Sequence, residues 1–160
     1  MILFDSKVFY IDRIRTFGFT IIELMLALLV LGVLISVAIP VYQNYEERVD
    51  DNKAIQDILA IQLVTDDYIL TNNTPPSSLV DIGLDSLKDP WGNPYEYLNY
   101  STNPPGDRRK DKNLNPLNSY YDLYSKGVDG ESNKQIITKK SQDDIIRGRD
   151  GAFIGHAKDF

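Results

Sequence analysis

The sequence has 160 residues, enough for one small domain and a membrane anchor. Its 23 acidic and 17 basic residues give a formal charge of -6, which argues against nucleic acid as a main partner because backbone binding needs a clustered cationic surface. Because the chain has no cysteine, a disulfide framework, a thiolate zinc site and a cysteine nucleophile are excluded.

The N-terminal part of the sequence predicts a membrane segment. Residues 1–17 are mildly basic and only partly apolar, which is typical of a cytoplasmic flank. Residues 19–39 form an apolar run with Glu23 as its only charged residue, and a helix of this length spans about 30 Å of hydrocarbon. A secretory signal peptide has a shorter apolar core that ends in a small-residue cleavage site, and no clean site of that kind follows here. We therefore predict a transmembrane helix over residues 19–40.

The helical pattern continues past Pro40 as an amphipathic segment over residues 41–70. Apolar residues recur at helical spacing opposite the polar stretch EERVDDNK, and they include Tyr45, Val49, Ile58, Ile61 and Tyr68. Pro40 removes one backbone donor, which predicts a kink or a local loosening at this point. Pro75 and Pro76 then end the helix.

Residues 71–160 are predicted to form a small antiparallel sheet with loops. The candidate strands are YEYLNY at 95–100, SYYDLYS at 119–125, and the shorter QIIT at 135–138 and GAFIG at 151–155. The stretch LVDIGLDSLKD favours a short helical turn. The predicted fold class is α+β, with a long N-terminal helix packed on a small antiparallel sheet and a C-terminal loop region.

Several polar stretches favour structural interpretations over chemical ones. The basic stretch DRRKDK at 107–112 is diluted by aspartates, so we interpret it as a solvated loop. His156 is the only histidine and has no cysteine partner, which favours a mobile surface residue over a zinc or triad role. Asp66 and Asp67 are adjacent in sequence, and nothing marks them as an acid and base pair. We therefore predict that the protein is not an enzyme.

The stretch GFTIIELM at 18–25 resembles the class III signal of type IV pilins and type II secretion pseudopilins. The resemblance implies that residues 1–18 are a leader, that a prepilin peptidase cuts between Gly18 and Phe19, and that Phe19 is then methylated. Glu23 and Pro40 fall at the spacing of the family pattern and would act in assembly. The freed α-amine of Phe19, in the same or a neighbouring subunit, would neutralise Glu23.

Two further stretches resemble the major pseudopilins of type II secretion. DPWGNPYEY at 89–97 is similar to their turn after the helical region, and YSKGVDG at 124–130 and SQDDI at 141–145 are similar to the halves of their calcium loop. The resemblance implies calcium ligands that are listed here: the carboxylates of Asp129, Asp143 and Asp144, and the backbone carbonyls of Lys126, Glu131 and Ser141. Residues 131–140 separate the halves by more residues than in the family, and solvated acidic turns are the alternative interpretation.

The resemblance implies a structural subunit with a single-pass precursor in the bacterial inner membrane and residues 41–160 in the periplasm. Copies of the subunit would leave the membrane and polymerise into a pseudopilus that helps drive protein export across the outer membrane. Its partners would be other copies, the prepilin peptidase, minor pseudopilins and the inner-membrane secretion platform. A type IV pilin, a minor pseudopilin and a membrane-anchored periplasmic binding or enzymatic domain are the alternatives.

Overall fold

The structure, a computed structural model, describes residues 18–160. The chain divides into two compact units, of which the first ends at Tyr42 and the second is Gln43–Phe160. The predicted leader, except for Gly18, lies outside the described residues.

One helix, α1, spans Ile21–Asn72 and passes through Pro40 without ending. It contains an 18-residue window with a mean hydropathy of 2.8, long and apolar enough to cross a membrane. Every residue from 18 to 49 is exposed, including the apolar side chains all around this part of the helix. A helix that is apolar on every side is expected in a bilayer or inside an assembly.

Within the second unit, α1 buries a single stripe against the sheet. Its buried residues, Ala54, Ile58, Ile61 and Thr65, are spaced four, three and four apart, so they lie on one face of the helix. The predicted apolar face is therefore confirmed at Ile58 and Ile61 but is wrong at Tyr45 and Val49, which are 65% and 47% exposed. Burial along α1 begins only at residue 50, so these two side chains have no protein surface to cover them.

Four antiparallel strands form one sheet in chain order. They are β1 Glu96–Asn99, β2 Tyr121–Ser125, β3 Ile145–Gly148 and β4 Phe153–His156. The predicted strands at 95–100, 119–125 and 151–155 correspond to β1, β2 and β4, and a short 3-10 helix at Leu79–Ile82 confirms the helical turn. The α+β prediction is thus confirmed.

The predicted strand QIIT at 135–138 is wrong, and β3 was not predicted. Gln135 forms only an isolated parallel bridge with Lys110, and Ile136 is a buried residue of a loop. All four residues of β3 are buried. A strand covered on both faces lacks the polar and apolar alternation that marks a half-exposed strand.

The sheet separates two apolar clusters. Ile145 belongs to the cluster around Ala54, Ile58 and Ile61 of α1. Its neighbour Ile146 belongs to a second cluster formed with Leu117, Ile136 and Ala157. Successive strand residues point to opposite faces, so α1 covers one face of β3 and the C-terminal loops cover the other.

The interpretation of His156 as a mobile surface residue is wrong. His156 lies in β4 and is only partly exposed, and its Nε2 is 2.9 Å from Oδ2 of Asp51 on α1. The contact joins residues that are 105 positions apart in sequence. Sequence spacing alone gives no indication of a pair at this distance.

We predict that Ile58→Ala lowers the free energy of unfolding of the second unit by about 2–5 kcal/mol, because it removes a fully buried side chain between α1 and the sheet. Thermal unfolding of the full chain in detergent, followed by the fluorescence of Trp91, measures the effect. Leu63→Ala on the same helix is the control, because Leu63 is 70% exposed. Equal melting temperatures for the two variants would contradict the assignment of this face.

Candidate functional site

The start of α1 is closed by a reciprocal cap between Thr20 and Glu23. The Thr20 backbone N–H and hydroxyl donate to Glu23 Oε2 at 2.8 and 2.7 Å, and the Glu23 N–H donates to Thr20 Oγ1 at 3.3 Å. This arrangement is a capping box, which satisfies donors that a helix start otherwise leaves free. The T-x-x-E spacing is the sequence pattern of such a box, so Thr20 could have been identified from the sequence.

The predicted cleavage point lies just before this cap. Gly18 and Phe19 precede the helix and are exposed, and Phe19 is 90% exposed. Among the described residues beyond its chain neighbour, no heavy atom lies within 4 Å of the position that a Cβ on Gly18 would take. The bond between them is thus accessible and outside regular secondary structure, while cleavage and methylation stay predictions.

The turn that opens DPWGNPYEY is ordered by Asp89. The Asn93 N–H donates to Asp89 Oδ1 at 2.7 Å, the Ser125 hydroxyl donates to Oδ2 at 2.5 Å, and Gly92 has a φ of 93° that favours glycine. Asn93 Nδ2 also donates to the carbonyl of Gly127 at 3.2 Å. The turn therefore docks directly on the loop that follows β2.

The aromatic residues of this turn pack on α1. Trp91 and Tyr95 belong to the cluster that contains Ala54 and Ile58. The Tyr95 hydroxyl donates to Asp57 Oδ2 at 2.9 Å, and burial and the Asp57 carboxylate raise the pKa of Tyr95. The turn thus links the helix to the predicted calcium loop.

Asp129 and Asp143, two of the predicted calcium ligands, lie together. The Asp129 N–H donates to Asp143 Oδ2 at 3.1 Å, and the Glu131 N–H donates to Asp129 Oδ1 at 2.7 Å. Gly127, with a φ of 65°, lies so close to Asp143 that a Cβ would be 2.5 Å from its carbonyl oxygen. Glycine is required at this approach because any side chain would displace Asp143.

Asp144 has a different surrounding from Asp129 and Asp143. Its side chain is fully buried, and its Oδ2 accepts hydrogen bonds from Arg109 Nη2 at 2.5 Å and from the Ser132 hydroxyl at 2.6 Å. Burial raises the pKa of the Asp144 carboxyl, and Arg109 and Ser132 act in the opposite direction. Its charge is therefore balanced by an arginine of the chain.

The side chains of the three residues predicted to contribute backbone carbonyls each contact another part of the chain. Lys126 pairs with Glu96 at 2.5 Å and Glu131 with Lys140 at 2.7 Å, while the Ser141 hydroxyl donates to the Asn133 carbonyl at 3.1 Å. Carboxylates and backbone carbonyls are the oxygen ligands that calcium prefers. These side-chain contacts leave the three backbone carbonyls as possible ligands.

The carboxylates among the predicted calcium ligands are not gathered into one group in this structure. Between residues 18 and 160, no group of three or more histidine, aspartate or glutamate side chains is arranged to hold a metal ion. Asp144 Oδ2 is paired with Arg109, while its Oδ1 is buried without a hydrogen-bond partner. Calcium binding by the carboxylates of Asp129, Asp143 and Asp144 with the carbonyls of Lys126, Glu131 and Ser141 stays a prediction.

The interpretation of DRRKDK as a solvated loop is wrong at Arg109, which is 3% exposed. Its backbone N–H donates to Asp122 Oδ2 at 2.8 Å, and its guanidinium lies 3.9 Å from the centroid of the Tyr124 ring. Charge composition indicates solvation on average but does not indicate which arginine finds a buried carboxylate.

Comparison with known proteins identifies the family. The chain is 32% identical over 141 residues to the type II secretion system core protein G of Aeromonas hydrophila, covering 74% of this chain and 87% of that protein. The chain belongs to the type II secretion system core protein G family. The core protein G of Escherichia coli (strain K12) is 31% identical over 137 residues, covering 71% of this chain and 83% of that protein. The resemblance drawn from the sequence is thus confirmed.

The remaining comparisons give weaker matches or none. A fimbrial protein of Pseudomonas aeruginosa is 35% identical over 73 residues, which covers 42% of this chain and 47% of that protein. Neither a family model nor a solved structure matches the chain. Similarity to the core protein G relatives therefore covers far more of the chain than similarity to the fimbrial protein does.

For this core protein G relative, we predict that calcium raises the melting temperature of the full chain in detergent and that Asp129→Ala abolishes the rise. A cation between Asp129 and Asp143 would relieve the repulsion of two neighbouring carboxylates. Trp91 fluorescence in excess calcium and in excess chelator measures the response. Asp67→Ala is the control: Asp67 is an exposed carboxylate on α1, so this variant should retain the calcium-dependent rise in melting temperature. Equal melting temperatures of the unmodified chain in calcium and in chelator would contradict calcium binding by this loop.

Proposed function

We propose that the chain is a structural subunit of a type II secretion pseudopilus. It polymerises through its N-terminal helix into a periplasmic filament that helps drive protein export across the outer membrane. Similarity to relatives named type II secretion system core protein G over most of the chain carries the proposal. Those names denote a component of a secretion system, which supports a structural role and not an enzymatic one.

The exposed apolar half of α1 supports assembly through this helix. Side chains such as Leu24, Leu29 and Val37 are 57%, 64% and 61% exposed. A contiguous apolar surface of this extent is unfavourable in water and marks a membrane or protein contact. The bacterial inner membrane covers it before assembly, with the second unit in the periplasm, and the helices of other copies cover it in the filament.

Glu23 fits a helix that changes its surroundings. A charged side chain inside hydrocarbon costs a few kcal/mol, and the hydrogen bonds from Thr20 offset part of that cost within the chain. The prepilin peptidase cuts between Gly18 and Phe19 and methylates the new terminus, and the amine of Phe19 in a neighbouring subunit then pairs with Glu23. This pairing sets the register of the subunits.

The other partners follow from the same assignment. Minor pseudopilins and the inner-membrane secretion platform contact the assembling filament. A type IV pilin is the second candidate, because the chain is 35% identical to a fimbrial protein over 73 residues. That similarity covers less than half of either chain, which favours the pseudopilin.

We predict that co-expression with a prepilin peptidase yields a mature chain that begins at an N-methylated Phe19. Mass spectrometry of the purified protein measures the mature N-terminus. Gly18→Val is the control and should retain the leader, because a branched side chain would stand at the accessible bond. An intact leader in the unmodified chain, or a cut after residue 39, would contradict the proposed function.

We predict that Glu23→Ala leaves insertion and cleavage intact but strongly reduces the yield of filaments, because it removes the partner of the neighbouring amine. Electron microscopy and sedimentation of sheared filaments measure assembly. Thr20→Val is the matched control: it breaks the same capping box but retains the carboxylate, so it should assemble better than Glu23→Ala. Equal loss in both variants would assign Glu23 to helix capping alone, and normal filaments from Glu23→Ala would refute its role in assembly.

A further inference from the structure

Two segments outside the sheet converge on Asp144. The first is residues 107–112, the basic stretch, and the second is residues 131–140, which separate the two predicted halves of the calcium loop. The Lys110 N–H donates to the Lys134 carbonyl at 2.8 Å, and the Ile136 N–H donates to the Lys110 carbonyl at 3.1 Å. The two segments are therefore held side by side by backbone hydrogen bonds.

Each segment contributes one side chain to the Asp144 carboxylate. Residues 107–112 contribute Arg109, and residues 131–140 contribute Ser132. The Arg109 guanidinium and the Ser132 hydroxyl both donate hydrogen bonds to Asp144 Oδ2. Arg109 Nη1 also donates to the Ser132 hydroxyl oxygen at 2.8 Å. The three side chains thus form one hydrogen-bonded cluster at Asp144 Oδ2, while Asp144 Oδ1 and Arg109 Nε are buried without a hydrogen-bond partner.

The Arg109 guanidinium is held in place from several directions. Its backbone is bonded to Asp122, its plane lies over the ring of Tyr124, and its nitrogens bond Ser132 and Asp144. Such anchoring reduces the conformational freedom lost when the ion pair forms. Moving the guanidinium away would break all of these contacts together.

A buried carboxylate needs a counter-charge, and a fixed arginine supplies one here. A divalent cation at Asp144 would lie within a few ångströms of the guanidinium, where like charges repel strongly because burial weakens solvent screening. Asp144 Oδ1 is buried without a hydrogen-bond partner, but it belongs to the same carboxylate, so a cation bound there would still face the guanidinium at short range. The arginine and a metal are therefore alternatives at this residue.

We propose that Arg109 is the resident counter-ion of Asp144, in the place that the family resemblance gives to calcium at this carboxylate. Asp144 is then not a calcium ligand. The packing of residues 107–112 and 131–140 beside β3 is consequently independent of metal, whether or not Asp129 and Asp143 bind calcium.

The first test is a double-mutant cycle in excess chelator on the full chain in detergent. Arg109→Gln should lower the melting temperature by roughly 10 °C or more, because it leaves a buried carboxylate unpaired. Adding Asp144→Asn to this variant should recover part of the lost melting temperature, since neither side chain of the pair is then charged. Arg108→Gln is the matched control, because Arg108 lies 4.4 Å over the Tyr100 ring and makes no ion pair with Asp144.

The second test compares the response to calcium. Calcium should change the melting temperature of Asp144→Asn by the same amount as that of the unmodified chain. If calcium does not affect the unmodified chain, it should not affect Asp144→Asn either. Hydrogen exchange should show that amides of residues 131–147 remain protected in chelator and lose protection in Arg109→Gln. The proposal is overturned if Arg109→Gln melts like Arg108→Gln, or if Asp144→Asn abolishes a calcium response that the unmodified chain shows.

Discussion

The second unit depends on the burial of β3 on both faces. Ile145 points to the cluster on α1, and Ile146 points to the cluster beneath the C-terminal loops. Arg147 follows, with its guanidinium 4.1 Å from the centroid of the Tyr121 ring and its Nε donating to Gln62 Oε1 of α1 at 3.0 Å. One strand therefore positions the helix, the sheet and the loops that carry the candidate site.

The charged residues at either end of β3 extend this role. Asp144 precedes the strand and pairs with Arg109. Arg147 lies near the end of the strand, where it is 4% exposed and donates hydrogen bonds to Asn118 and Gln62. Burying charges is unfavourable unless each has a partner of good geometry. The two ion and hydrogen-bond networks therefore fix the loops around β3 more specifically than apolar contact alone would.

The sequence predicts the features that local patterns encode. The apolar run, the helix through Pro40 and the aromatic strands follow from hydropathy and periodicity. Residues such as Arg109, His156 and Asp144 could not be placed in the same way, because their partners are 35 and 105 positions away. β3 was missed because its two-sided burial removes alternation, and Thr20 was missed although its capping pattern was present in the sequence.

The contact between His156 and Asp51 also has a consequence for the order in which the unit matures. Contacts between residues so distant in sequence form late, because the intervening chain must first lose its freedom. Asp51 meets its partner only after the chain has been made through residue 156. The pair is consequently among the last contacts to form, and β4 is joined to α1 only when the end of the chain has folded back onto the helix.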